Sequence, residues 1–328
     1  MGCVGMRELS YSDSLNEAFH QILEKDEKVY MIGGGITSPW YVGQTTKGLI
    51  DKFGKRRVID SPTSENGITG IATGSSIAGL HPIVCYPRHD FMYLAADQIC
   101  NMLANWRYMN GGNYKTPVVL WAIINRGGEQ AAQHSQALHS FFSHIPGLKV
   151  VAPSNAFDVK GLMATCCLKE QNPIVFVDDR WNYPLKSYTP KELYFVPLGQ
   201  AIIHSKGNDG TVVSSSYLTN EVIKAGKELE GKYKLDIFDL VTLKPFDDAA
   251  IIKSVKKTGK LIVVDGGWKT CGYAAEIIAT VAENVQDARF LRITLPNTPA
   301  PACSKLEELY YITSKTIVDK VDSFLKRG

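Results

Sequence analysis

The chain has 328 residues, of which 45% are hydrophobic and 21% charged, enough to bury real cores in about two domains of ordinary size. A formal net charge of +3, evenly spread, leaves no electrostatic footprint for nucleic acid or a membrane surface. No run of ~18 apolar residues offers a membrane span. The start, "MGCVGMRELS", has no signal-peptide core and carries Met6 where a myristoylation signal wants Ser or Thr.

In chain order, "SYSDSLNEAFHQILEKD" places Leu15, Ala18, Phe19, Ile22 and Leu23 on one helical face. "KVYMIGGG" reads as a buried strand ending in glycines. These invite a dinucleotide fingerprint, but Ser38 holds the third glycine position, Pro39 follows, and no acid ends a second strand in the usual place. A plain turn is expected. "RRVIDSP" is a second short strand. After it, "SPTSENGITGIATGSSIAG" opens a helix capped by Ser61 or Ser64, with Glu65 in the first turn, where the helix dipole favours an anion. Glu65 is either a capping acid or a functional carboxylate. Gly67, Gly70, Gly74 and Gly79 weigh on the second side, since each costs about 1 kcal/mol inside a helix. So thin a helix points to something packed closely against it, a second chain or a flat ligand.

"HPIVCYP" is the next strand. In "YPRHDFMYLAADQICNMLANWRYMNGG", Phe91 stands where strand gives way to helix, as a core residue or as a ring that stacks on a heteroaromatic. "TPVVLWAII" is a strand, and the stretch after it, "NRGGEQAAQHSQALHSFFSHIPG", holds three of the seven histidines. His134, in a polar loop after a parallel strand, lies where α/β folds place ligands. His139 and His144 read as structural, and no HxH or HExxH spacing makes a metal cluster. "LKVVAPS", a helix over 156–170 and "PIVFVDD" follow. Near 178–198 the pattern breaks into an aperiodic connection. Then "GTVVSSS", "KLDIFDL", "KLIVVDGG" and "ARFLRIT" alternate with helices near 217–230, 246–256, 272–284 and 304–326. Val/Ile runs separated by helices mean parallel sheets covered on both faces. The expected fold is therefore α/β in two domains, 1–190 and 191–328, each a mostly parallel sheet flanked by helices. The seven cysteines, Cys3, Cys85, Cys100, Cys166, Cys167, Cys271 and Cys303, have no CxxC spacing and read as reduced, buried thiols of a cytoplasmic protein. There is no GxxxxGK[ST] loop and no GDG-type segment with a following Asn to hold a magnesium diphosphate; "NDG" at 208–210 lies in a turn.

With Glu65, the Phe91 segment and His134 in view, the chain resembles the beta subunit of the thiamine-diphosphate-dependent first component of 2-oxoacid dehydrogenase complexes, the pyruvate dehydrogenase type. That subunit corresponds to the pyrimidine-binding and C-terminal domains of transketolases. The resemblance is carried by "KGLIDKFGKRRVIDSPTSENGITGIATGSSIAGLHPIV", "AAQHSQALHSFFSHIPGLKVVAPSNAFDVKGLM", "LVTLKPFD", "VVDGGWKTCGYAAEI" and "TLPNTPAPACSKLEE", in the family's order over nearly the whole chain. It implies an enzyme that decarboxylates a 2-oxoacid and passes the acyl group to a lipoyl carrier. The alternatives are a split-transketolase-like or acyloin-forming subunit with an aldehyde or sugar acceptor, and a non-catalytic assembly subunit.

Residue by residue, the resemblance implies that Glu65 hydrogen-bonds the aminopyrimidine ring of thiamine diphosphate, that Phe91 stacks on it and that the Thr63 backbone lies beside it. His89 joins these cofactor contacts, and His134 faces the reacting carbonyl. Val118 and Asn172 match backbone ligands of a monovalent cation, K+ in kind. An alpha chain would hold the diphosphate and its Mg2+, as α2β2, and a lipoyl acyltransferase would take the product. The chain departs from the family where Gly34 and Gly35 replace carboxylates, where Arg88 and His89 replace an apolar stretch, and where the loop before His134 shortens to "RGGEQ". A basic, polar substrate face is expected there, suited to an acidic or hydroxylated substrate rather than a branched aliphatic one.

Overall fold

The computed structural model describes residues 6–38 and 42–326; the Met-Gly start, Cys3 and Pro39 lie outside the described residues. The first half runs β1 (Met6–Ser10), α1 (Tyr11–Lys25), β2 (Val29–Gly33), α2 (Leu49–Phe53), β3 (Val58–Asp60), α3 (Glu65–Ile77) and β4 (His81–Tyr86). A 3-10 turn, His89–Ala95, and a π-helical stretch, Asp97–Leu103, lead into α4 (Ala104–Met109). Then come β5 (Val119–Ile124), α5 (His139–His144), β6 (Lys149–Val151), α6 (Ala156–Leu168), β7 (Ile174–Asp179) and β8 (Lys186–Pro190). The second half continues with β9 (Ile202–Ser205), β10 (Gly210–Ser214), α7 (Tyr217–Leu229), β11 (Leu235–Asp239), β12 (Thr242–Lys244) and α8 (Asp248–Thr258). It closes with β13 (Lys260–Trp268), α9 (Tyr273–Ala282), β14 (Arg289–Leu295), α10 (Ser304–Tyr310) and α11 (Ser314–Lys326).

Two sheets form the frame. The larger has seven strands in the order β12-β6-β7-β5-β4-β2-β3, and the smaller has five in the order β14-β13-β10-β11-β9. All pairs are parallel except β12 with β6 and β9 with β11. Strands β2, β5 and β7 are buried along their full length, which is why they read as unbroken apolar runs. The apolar face of α1 packs Leu15, Ala18, Phe19, Ile22 and Leu23, all 0% exposed, into the core on one side of the larger sheet. On the other side a single apolar cluster continues from Ile68 and Leu120 through Phe238 and Leu261, so the two halves share a core.

Three differences from the sequence expectation have tertiary reasons. The aperiodic connection contains β8, which pairs antiparallel with β1; only its partner, far off in sequence, makes it a strand. The segment "LVTLK" contributes β12 to the first sheet, with Thr242 opposite Val151, so the second half completes the sheet of the first. The helix expected over 304–326 breaks into α10 and α11 around Tyr311, whose ring packs against Trp181.

The seam also buries charge. Asp158 near the start of α6 and Asp239 at the end of β11 are 2% and 0% exposed. Ser154 and Thr219 donate hydroxyl hydrogen bonds to Asp239. Burial, with the charge of Asp239 beside it, pushes the Asp158 carboxyl up to about 7. A carboxyl with a higher pKa in the folded than in the unfolded chain stabilises the fold while protonated. Its contribution is complete below about pH 4 and is lost as the pH rises to about 7. Asp158→Asn is expected to remove that loss. Thermal unfolding should show the variant more stable than the parent by roughly 2–4 kcal/mol at pH 8, with the gap closing toward pH 4.

Candidate functional site

Strand β2 ends at Gly33, where a Cβ would sit 2.7 Å from the Cβ and carbonyl oxygen of Cys85, so only glycine lets β2 and β4 lie this close. The chain then turns through Gly34 and Gly35 (φ 70). An acid does end the neighbouring strand: Asp60 closes β3. Its carboxylate accepts from the Gly35 N–H at 2.7 Å and the Thr37 hydroxyl at 2.6 Å, so it ties down the glycine turn and is not left for a ribose. Past Asp60, Ser64 caps α3 by accepting from the Gly67 N–H at 3.3 Å, and Glu65 follows in the first turn.

These carboxyl ends of β2, β3 and β4 meet in a cleft of about 290 Å³, lined by Gly34, Gly35, Ser38, Ser61, Thr63, Glu65, Cys85 and Phe91 among others. That is the edge at which open α/β sheets take ligands. Glu65 is half-buried rather than sealed off. Among the described residues no donor hydrogen-bonds its carboxylate. Ser61 Oγ is buried without a partner. Burial pushes the Cys85 thiol well up, so it stays protonated and serves as wall. The His134 ring stands edge-on to Phe91, centroids 5.4 Å apart at 78°. Thr63, Glu65, Phe91 and His134 are thus brought together from the start of α3, the 3-10 turn after β4 and the loop after β5.

His89 is placed elsewhere. The helical turn carries its ring inward, 0% exposed, stacked on Phe142 at 5.9 Å, and Nδ1 accepts from the Leu138 N–H at 3.4 Å. Burial, and then the charges of His139 and Arg126, push its pKa down to about 3, so it is neutral. It does not line the cleft, and a basic substrate face cannot be built from it. The neighbouring Asp90, which sequence reasoning passed over, is 5% exposed and accepts from the Gln136 N–H at 3.2 Å, fastening the His134 loop to the Phe91 turn. No spacing signal marks it.

Val118 is buried, and its carbonyl accepts from the Ile174 N–H at 3.0 Å. The Asn172 side chain accepts from Arg107 at 2.8 Å and donates to Glu170 at 2.8 Å. Among the described residues no group of three or more His, Cys, Asp or Glu could hold a metal. A larger cavity, about 630 Å³, opens at the seam beside α5 and α9 and shares no residue with the cleft at Glu65.

The donor set suits a flat, nitrogen-bearing ring: one carboxylate with free acceptor capacity, one aromatic face, one unpartnered hydroxyl, and a glycine wall. A Cβ on Gly34 would still lie 3.7 Å from its nearest neighbour, so the wall leaves room. Helix α3 is thin on the outside too. Gly74 meets nothing within 4 Å, and Ile71 is 58% exposed. Gly79, expected inside this helix, lies past its end at φ 94, where it terminates the helix instead.

Two family profiles match the chain: "Transketolase, pyrimidine binding domain" over residues 7–186, and "Transketolase, C-terminal domain" over 199–317. The chain is 37% identical to the acetoin:2,6-dichlorophenolindophenol oxidoreductase subunit beta of Bacillus subtilis (strain 168), over 95% of this chain and 96% of that one. It is 36% identical to the pyruvate dehydrogenase E1 component subunit beta of Gracilaria tenuistipitata var. liui, over 98% and 100%. Among solved structures, a split gene transketolase in an inactive beta4 tetramer matches with a TM-score of 0.80 at 18% identity, covering 97% of this chain and 98% of the other. That likeness carries the fold.

Proposed function

Because the chain belongs to the transketolase-type family that includes the beta subunits of pyruvate dehydrogenase E1 components and of acetoin oxidoreductases, we propose that it is the beta subunit of a heteromeric thiamine-diphosphate enzyme. The enzyme decarboxylates a 2-oxoacid and passes the acyl group to a lipoyl carrier. The observation that carries this reading is the convergence of Thr63, Glu65 and Phe91 on one cleft, with His134 at its edge.

Bound thiamine diphosphate would supply an acidic ring carbon that adds to a carbonyl and takes up the electrons left by carbon dioxide. The chain's own residues do the rest. Glu65 accepts or gives the proton at the pyrimidine nitrogen, which makes loss of the ring-carbon proton possible at neutral pH. Phe91 holds the ring by its face, and the Thr63 backbone holds it by its edge. His134 donates to the oxygen that becomes an oxyanion. In this reading the domains divide at residue 190, and a monovalent cation sits against the carbonyls of Val118 and Asn172.

Neither phosphate-loop nor magnesium-diphosphate spacing occurs in the sequence, so an alpha chain would hold the diphosphate and Mg2+, in an α2β2 assembly. The open glycine face of α3, with Ile71 exposed, supports a close-packed neighbour there. The described cysteines are all unpaired, which supports a cytoplasmic site of action; Cys271 and Cys303 are exposed, not buried as expected.

The acceptor is tested on the heteromer reconstituted with its alpha chain, supplied with pyruvate or acetoin. Acylation of free lipoamide is expected to outrun coupling to aldehydes with either donor. Faster coupling to an aldehyde or sugar would move the assignment to ketol or acyl transfer of the transketolase kind.

A further inference from the structure

We propose that Glu307 is a positioning residue: from the second domain it holds the loop that carries His134 in its working place. This rests on the reading of His134 as an active-site group. The loop runs from Arg126, just past β5, to His139, where α5 begins. Gly127 (φ 72), Gly128 (φ 65), Glu129 (φ 60) and Ala131 (φ 58) all have left-handed backbone. Glu129 and Ala131 are not glycines, so this shape costs free energy that outside contacts must offset.

Beside Asp90 of the first domain, which accepts from the Gln136 N–H, the second domain supplies such contacts. The Glu307 carboxylate on α10, 6% exposed, accepts through Oε2 from the Glu129 N–H at 3.1 Å. In return Glu129 Oε1 accepts from the Ser304 N–H at 3.0 Å, where α10 starts. At the far end, His139 Nε2 lies 2.7 Å from Oδ1 of the buried Asp265 on β13. Beneath the loop, a Cβ on Gly127 would come within 3.1 Å of the Trp181 ring, which is itself set against Tyr217 and Tyr311 with centroids 5.0 Å away.

Glu307 is costly where it stands. It is buried, and its Oε1 has no partner. An apolar residue would pack there at less cost but could not take the N–H of a strained residue. What the carboxylate adds is the fixed place of Glu129, and with it the course of the loop to His134. A displacement on the order of 1 Å at a reacting group costs about 10²-fold in rate.

The test uses the heteromer with its alpha chain, following turnover and backbone hydrogen exchange. Glu307→Ala is expected to lower kcat about ten- to a hundredfold with KM changed less than about twofold, and to speed exchange over 127–135. Glu307→Gln, whose amide oxygen still accepts from the Glu129 N–H, is expected to restore both. Glu307→Asp keeps the charge but withdraws the oxygens by a methylene. It is expected to behave as the alanine variant does, and it decides the matter if that variant fails to assemble. Parent kcat in Glu307→Ala or Glu307→Asp, where His134→Ala has lost turnover, overturns the positioning role. Parent turnover in His134→Ala would overturn the reading of the site instead, and the exchange rates would still decide whether Glu307 holds the loop.

Discussion

Glu65→Gln is expected to lower turnover of the heteromer by about 10²–10⁴-fold, the range spanned by a positioned general acid–base group. Gln keeps the shape and a hydrogen-bonding oxygen but cannot exchange a proton at pH 7. The loss should therefore appear at the first chemical event, exchange of the cofactor's ring-carbon proton with solvent, which NMR follows in deuterium oxide. The fold should hardly notice. Glu65 is half-buried, and its one local role, a negative charge in the first turn of α3, is worth about 0.3–1 kcal/mol. Ser64, not Glu65, supplies the cap. A variant with parent thermal stability and parent exchange would leave the carboxylate as a helix-end acid and nothing more.

The largest effect on stability is expected at Arg126→Met. Its guanidinium lies 2.9 Å from Asp179, and the two side chains are 5% and 0% exposed. The same group stacks over Trp181 and presses on Gly266 of the second domain, where a Cβ would come within 3.0 Å of it. Burial raises the Asp179 carboxyl, and Arg126 offsets only part of that rise. Without Arg126 an unpaired carboxylate is left in the core, at a cost of roughly 3–5 kcal/mol. The sign of the pH dependence follows. The folded-state pKa of Asp179 moves further above the unfolded value near 4, so the folded chain holds a proton that the unfolded chain has released. The deficit is smallest below about pH 4 and grows as the pH rises. Urea midpoints at pH 5 and pH 8 measure it. Adding Asp179→Asn should recover part of the loss at pH 8, because no charge is then stranded. Equal midpoints for parent and Arg126→Met at pH 8 would mean that the pair does not hold the seam.

Most of the frame was legible because it depends on near neighbours in sequence. The α1 stripe, the Val/Ile runs of β2, β5 and β7, and the serine cap of α3 are local patterns; the first two form where the pattern puts them, and of the two serines the pattern allows, Ser64 takes the cap. Strands β8 and β12 were not legible, since each is a strand only by virtue of a partner distant in sequence, residues 6–10 for β8 and 149–151 for β12. Gly79 falls outside α3 for a smaller reason: the helix ends at Ile77, two residues short of it.

The site divides along the same line. By itself the sequence determined which residue types stand near the strand ends: an acid at the start of a side-chain-poor helix, an aromatic after the next strand, and a histidine in a polar loop. Residue type and order are enough for that, because strand ends in a parallel sheet all open on one edge. Only the tertiary structure decided what surrounds them. It turned His89 inward, spent Asp60 on the glycine turn, and set Glu307 and Asp265 of the second domain against the two ends of the His134 loop. Hydrogen bonds and burial are properties of distance in space, and residues 129 and 307 bear no periodic relation that a reading along the chain could find.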